Sequence, residues 1–333
     1  MKKISFFLSI LSVLSMALFQ SSCKGGGNKN IGANDTLALV SLYQFAKAEP
    51  ISIEKATGLA STLLSNEFNK ELLQTDEQEK VISYSSKEGG SYFNQNTSNG
   101  DWTFSRNIDR YYSDYNPKIP DQKQAQSIAE QFLKTNNLMP ANSKEVHLVH
   151  SGGVQGVAVN SQSVKDLLRT FTYARVLDNL PVTGPGSRIV VKVGDNGEVV
   201  AATYRWHVLA AEKTTLKLSE IKSEKEASEE ALKIVAEQFG SSASATLNRI
   251  QLAYFDQGLS YIQPVYSAEL SVTMLVDGKE KVTMPYLCII EAMRQSPEAL
   301  TIRLMDAKAK ELAGIQKESS IPEEYKKKQE TDD

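Results

Sequence analysis

The sequence is short of the residues that most often carry chemistry: its 333 positions hold three histidines, two cysteines and two tryptophans. No H-E-x-x-H, G-x-S-x-G or G-x-x-x-x-G-K-[ST] pattern occurs, so zincin, nucleophile-elbow and P-loop signatures are absent. His147 and His150 stand three apart. On a strand that spacing sends them to opposite faces, which argues against a shared metal. Asp195-Asn196-Gly197 lacks the spaced acidic ligands of a calcium loop and reads as a hairpin turn. Ser151-Gly152-Gly153 and Gly156 read as a loop, but the segment 161–168 that follows is a poor helix for a phosphate cradle. No catalytic residue, metal ligand or cofactor site is assigned. Basic excess is also missing: the formal charge is −3, which argues against a polyanion such as nucleic acid as the main partner. Beyond residue 19 no stretch reaches the roughly 20 apolar residues of a membrane-spanning helix.

What is present begins at the N-terminus. Lys2 and Lys3 precede an apolar, serine-containing run over residues 4–19, followed by Gln20-Ser21-Ser22-Cys23. This resembles a bacterial lipoprotein signal, with Gln20 where Leu, Val or Ile is usual. The resemblance implies cleavage after residue 22, lipid on Cys23 and a place in the bacterial cell envelope; the lack of an acidic run after Cys23 favours a periplasm-facing, outer-membrane anchor. An ordinary cleaved secretory signal is the competing reading. Residues 23–34, rich in Gly and Asn, read as a flexible tether. Loss of Lys2 and Lys3 with the signal takes the charge from −3 to −5. With Cys23 lipidated, Cys288 is left without an intramolecular disulfide partner. Its place in Tyr286-Leu287-Cys288-Ile289-Ile290 suits a buried, inert thiol.

The remaining pattern alternates helices and strands. Asn34-Asp35 is read as capping a helix over 36–46, and Ser52 a second to about Leu64. From residue 80 to 105, alternating Tyr92, Phe93, Trp102 and Phe104 between Gly89-Gly90 and Asn99-Gly100 turns indicates an antiparallel meander. Asp121 caps a helix with Gln124 as capping-box partner, and Ala125, Ile128, Ala129, Phe132 and Leu133 form its apolar stripe. Strands follow at 146–149, 171–176, 189–193 and 199–206. Ser223 and Glu226 open another helix with the stripe Leu232, Val235, Ala236 and Phe239. Strands at 250–255, 265–276 and 282–290 come next, with Asp277-Gly278 in the place of Asn196-Gly197. A helix from Pro297 to about residue 313 and a charged tail end the chain.

The run from Phe171 through Arg175, Asp178, Asn179, Leu180, Pro181 and Gly184 to Arg188, and on to Gly197, resembles the PepSY-like domains, including the propeptide domains of thermolysin- and fungalysin-type proteases. Asn179 stands where that family often has Gly. The resemblance spans about 119–209 and, more faintly, 223–292. It implies a non-enzymatic domain that inhibits, chaperones or regulates envelope proteins.

The fold is therefore expected to be α+β, a helix packed on an antiparallel sheet, with a duplicated PepSY-like unit at 118–211 and 212–295. A smaller N-terminal α+β domain covers 35–117, and the end, 296–333, is a helix plus tail. The expected function is binding of an envelope protein, such as a protease, from a lipid anchor, without catalysis. The turn of Asn179, Leu180, Pro181, Gly184, Pro185, Gly186 and Arg188 is the candidate contact. A glycan- or peptidoglycan-binding surface of Trp102, Tyr111, Tyr112 and Tyr115 is the alternative, and a hydrolase with a dispersed site a second one.

Overall fold

The computed structural model describes residues 40–112, 115–157, 164–240, 243–276 and 280–300. The signal, Cys23, the tether, the Asp277-Gly278 turn and the tail lie outside the described residues.

Among the described residues, three α-helices accompany fourteen strands. In chain order they are β1 (Ser41–Phe45), α1 (Ile53–Leu64), β2 (Leu73–Asp76), β3 (Val81–Ser85), β4 (Tyr92–Asn96), β5 (Trp102–Ser105) and α2 (Gln122–Thr135). Then come β6 (Val146–Val157), β7 (Val164–Leu177), β8 (Leu180–Thr183), β9 (Arg188–Val193), β10 (Val199–Arg205) and β11 (Leu209–Thr215). The last are α3 (Glu224–Phe239), β12 (Ser244–Asp256), β13 (Tyr261–Val276) and β14 (Glu280–Glu291).

The strands join in one path, β11-β1-β13-β12-β8-β7-β9-β10-β5-β4-β3-β2, with β14 on β13 and β6 on β7. All pairs are antiparallel except β8 with β12, which is parallel. This overturns the expected α+β class: the fold is a large mixed sheet that outweighs its helices. The expected small N-terminal domain fails for the same reason. β5 pairs with β10, and β1 lies between β11 and β13, so the N-terminal strands are built into the sheet. The two stretches read as duplicated each follow a helix with an antiparallel meander, and they differ in one insertion. The strands after α2 are interrupted by the β8 excursion to β12, whereas β12, β13 and β14 run on as an uninterrupted meander.

Two apolar cores sit under the helices. α1 and α2 share one with the first stretch of sheet: Ala60, Leu64, Ala125, Ala129 and Leu133 pack with Phe93, Phe104, Phe171, Ile189 and Val191. α3 covers the other, where Ala227, Ala231 and Val235 meet Ile262, Leu270, Cys288 and Ile290. Each fully buried side chain of Val, Leu, Ile or Phe size contributes about 1.5–3 kcal/mol.

Local chemistry explains the helix starts. Ser52 accepts from the Lys55 amide, Asp121 from the Gln124 amide, and Ser223 with Glu226 forms a reciprocal capping box. The side chain of Gln124 does not reciprocate as expected; its amide alone is used. Four further readings are corrected. Residues 41–45 are strand β1, not helix, because two-sided pairing overrides local propensity. On α3 the buried stripe is Ala227, Ala231 and Val235, and Leu232 is 39% exposed. Residues 151–157 are strand rather than loop, and 164–168, a poor helix by sequence, are strand as well. Residues 297–300 are not helical.

Candidate functional site

The turn singled out in the sequence is a tether between the two cores. Asp178 and Asn179, both with positive φ (49° and 62°), form a two-residue hairpin loop between β7 and β8. Asn tolerates this conformation, which is why it can replace Gly there. Pro181 sits opposite Val176 of β7, and Arg188 opposite Ala174. Residues 182–187 therefore bulge out opposite Arg175 alone. The bulge reaches β12, where Val182 and Thr183 pair with Tyr254 and Phe255.

Glycine is required at two points. A Cβ on Gly184 (φ 102°) would lie 2.3 Å from the Asp256 carbonyl oxygen, and one on Gly186 would lie 2.3 Å from the Asp256 carboxylate. The Gly186 amide donates to the Asp256 carbonyl at 3.1 Å.

A buried polar network fixes the bulge. Ser187 Oγ donates to Asp256 Oδ2 at 2.6 Å, and the Gly258 amide donates to Asp256 Oδ1 at 2.8 Å. Arg175 donates to Ser187 Oγ (3.1 Å) and to the His207 carbonyl (2.6 Å), and stacks on Trp206 at 4.4 Å. Its Nε is 3.1 Å from Glu145 Oε2, an ion pair without aligned hydrogen-bond geometry. Arg175 is 1% exposed and Asp256 fully buried. Burial pushes the guanidinium down from its ordinary value, against the pull of Glu145 and Asp256. Next to it, His207 Nε2 meets Asp101 Oδ1 at 2.8 Å. Burial opposes the charged imidazole, but the hydrogen bond and charge of Asp101 outweigh it, and His207 ends above its ordinary value.

A second cluster ties β1 to the same hairpin. Tyr254 Oη and Lys213 Nζ each donate to Asp178 at 2.8 Å, and the Ser41 amide donates to Tyr254 Oη at 2.9 Å.

Of the seven expected contact residues, only Asn179 and Pro185 are exposed; Leu180, Pro181, Gly184 and Arg188 are half-buried and Gly186 is buried. The bulge is thus largely spent on internal contacts. The aromatic row is corrected. Trp102 is buried and stacks on Tyr204 with centroids 5.5 Å apart, and Tyr111 is 2% exposed. Tyr115 donates to Asp195, whose carboxyl is held below the ordinary range by that bond and by the Lys118 amide. The side chain of Tyr112 lies outside the described residues. Trp102 and Tyr111, being buried, do not contribute to the solvent-facing row of rings that a glycan platform needs.

His147 and His150 need correction as well. A β-bulge between Leu148 and His150 sets them opposite Ala174 and Thr172, so they share a face of the sheet. Both are exposed, and no group of three metal-binding side chains occurs among the described residues. Arg175, Asp256, Glu145, His207 and Asp101 were not singled out as site residues. The first was readable: Arg175 is in phase with Phe171 and Tyr173, on the buried side of β7.

No family model matches the chain, and no curated protein matches it. Among solved structures, an uncharacterized protein from Eubacterium rectale is similar over 79% of this chain and 86% of its own, at 10% identity and a TM-score of 0.47. The YpeB C-terminal domain of Bacillus megaterium is similar over 71% of this chain and 99% of its own, at 12% identity and a TM-score of 0.35. Likenesses this distant carry no argument about function.

Proposed function

We propose that the chain is a non-enzymatic binding protein of the bacterial envelope, held to a membrane by lipid on Cys23, that engages a protein partner through its sheet. The observation that supports this reading best is the pairing of β6. This twelve-residue strand pairs, among the described residues, with β7 alone. An open edge of that length presents a row of backbone donors and acceptors, the template on which an extended partner segment adds a strand. Leu148 and Val154 on it are 37% and 38% exposed, which gives such a partner apolar side chains to cover.

Two experiments test the reading. A photocrosslinker at Val154 should yield a discrete protein adduct in intact envelope, and one at Leu218, 63% exposed and far along the chain, should not. Adducts to glycan alone, or equal labelling at both sites, would count against it. For the anchor, Cys23→Ser should lose lipid label and leave the membrane fraction. Retention of both would end that part of the proposal.

A further inference from the structure

The second face of the β6-β7-β9-β10 sheet carries a charge pattern that the fold does not use. Register places His147, Ala174, Arg188 and Arg205 in one row across the four strands. Their neighbours Ile189, Val191 and Val193 point to the core shared with α1 and α2. Alternation therefore puts the row on the opposite face, where no α-helix packs among the described residues. Two guanidinium groups directly opposite each other on paired strands repel. Among the described residues neither has an acidic partner: the Arg188 side chain makes no hydrogen bond or ion pair there, and its Nε is buried and unbonded. The Arg205 side chain reaches, among the described residues, only the Pro185 carbonyl, at 3.4 Å. The carboxylates nearby are committed elsewhere. Asp101 holds His207, Glu145 holds Arg175, and Asp256 holds Ser187. Burial and the charge of Arg205 both push the Arg188 guanidinium below its ordinary value, the signature of a cation lacking its counter-charge.

We propose that Arg188 and Arg205 form a docking site for a carboxylate-rich segment of the protein partner. This rests on the binding reading above and names its chemistry. Adjacent strands lie about 4.8 Å apart, so one side-chain carboxylate can bridge both guanidinium groups. The row ends at His147 on β6, so a segment seated on the open β6 edge passes beside it. The overall charge of −3 disfavours an extended polyanion such as an anionic membrane, whereas a short acidic segment meets only the local pair.

The test uses the full chain in non-ionic detergent and a fluorescein-labelled decapeptide of alternating Glu and Thr, read by anisotropy. The peptide should bind, and more weakly as salt is raised. Arg188→Ala or Arg205→Ala should weaken it at least tenfold, while Arg249→Ala on β12 should not. Arg205→Glu should abolish binding and raise the melting temperature by pairing with Arg188. Absence of peptide binding overturns the proposal, as does a double alanine variant that binds like wild type. So does a fall in melting temperature in Arg205→Glu, which would make the arginines structural. Arg188-dependent binding of phosphatidylglycerol vesicles or inorganic phosphate, with none of peptide, overturns it in favour of a lipid or small-anion site. If the Val154 photocrosslinks persist while the peptide fails, the binding reading stands and only the acidic chemistry falls.

Discussion

At the scale of single residues, Asp256 is the hinge of the arrangement. It receives Ser187 and Gly258 through its carboxylate and Gly186 through its carbonyl. Asp256→Ala strips the buried Arg175 of part of its compensation and should cost about 3–5 kcal/mol in urea unfolding. Gly186→Ala, which drives a methyl into that carboxylate, should cost about 3 kcal/mol. His207 provides a pH test. Its folded-state value lies above the unfolded one, so its contribution is complete below the unfolded value and fades as pH rises through the folded one. The stability gap between wild type and Asp101→Asn should therefore be widest near about pH 5.5 and narrow toward about pH 8. A constant gap would show that the imidazole charge does not contribute. Asp178 has the opposite sign. Burial works against its carboxylate, but hydrogen bonds from Lys213, Tyr43 and Tyr254 hold it below the ordinary range. Its contribution is present above about pH 4 and is lost as pH falls through the folded value.

At the scale of elements, the sequence was most readable where a local interaction decides the structure. Ser52, Asp121 and Ser223 each cap the helix they were read as capping, because a cap satisfies amides only two or three residues away. Ser223→Ala should cost about 1 kcal/mol and fray α3, seen as lost protection from hydrogen exchange in its first turn. Readings failed where distant pairing decides. Residues 36–46 offer an apolar run without Gly or Pro, which suits a helix locally. Their strand character over 41–45 comes from partners at 209–215 and 261–262. The stripe of α3 was misplaced by the size of Leu232 and Phe239. Small Ala227 and Ala231 face the sheet and let the helix approach closely. The presence of a turn at Asp178-Asn179 was readable, but its inward wiring was not, because Asp256 lies 69 residues from Ser187.

At the scale of the whole molecule, two apolar cores are coupled through residues 182–187. Both tryptophans, Trp102 and Trp206, belong to the first core, and Cys288 to the second. Each core thus carries its own reporter. In a Cys23→Ser background, tryptophan fluorescence and reaction of the Cys288 thiol should report one coincident urea transition. In Gly184→Ala, where β8 is forced off β12, the two midpoints should separate. Coincident midpoints in a destabilised Gly184→Ala would show that the coupling runs elsewhere. The position of β1 has a mechanical consequence. The described fold begins with a five-residue strand gripped on both edges, with the Ser41 amide fastened to Tyr254 Oη. A pull from that end loads both ladders lengthwise, so their bonds resist together in shear instead of opening one by one as in a zipper. Tension applied at that end would therefore reach Tyr254, and through it Asp178 and the linking hairpin, before the strand lets go.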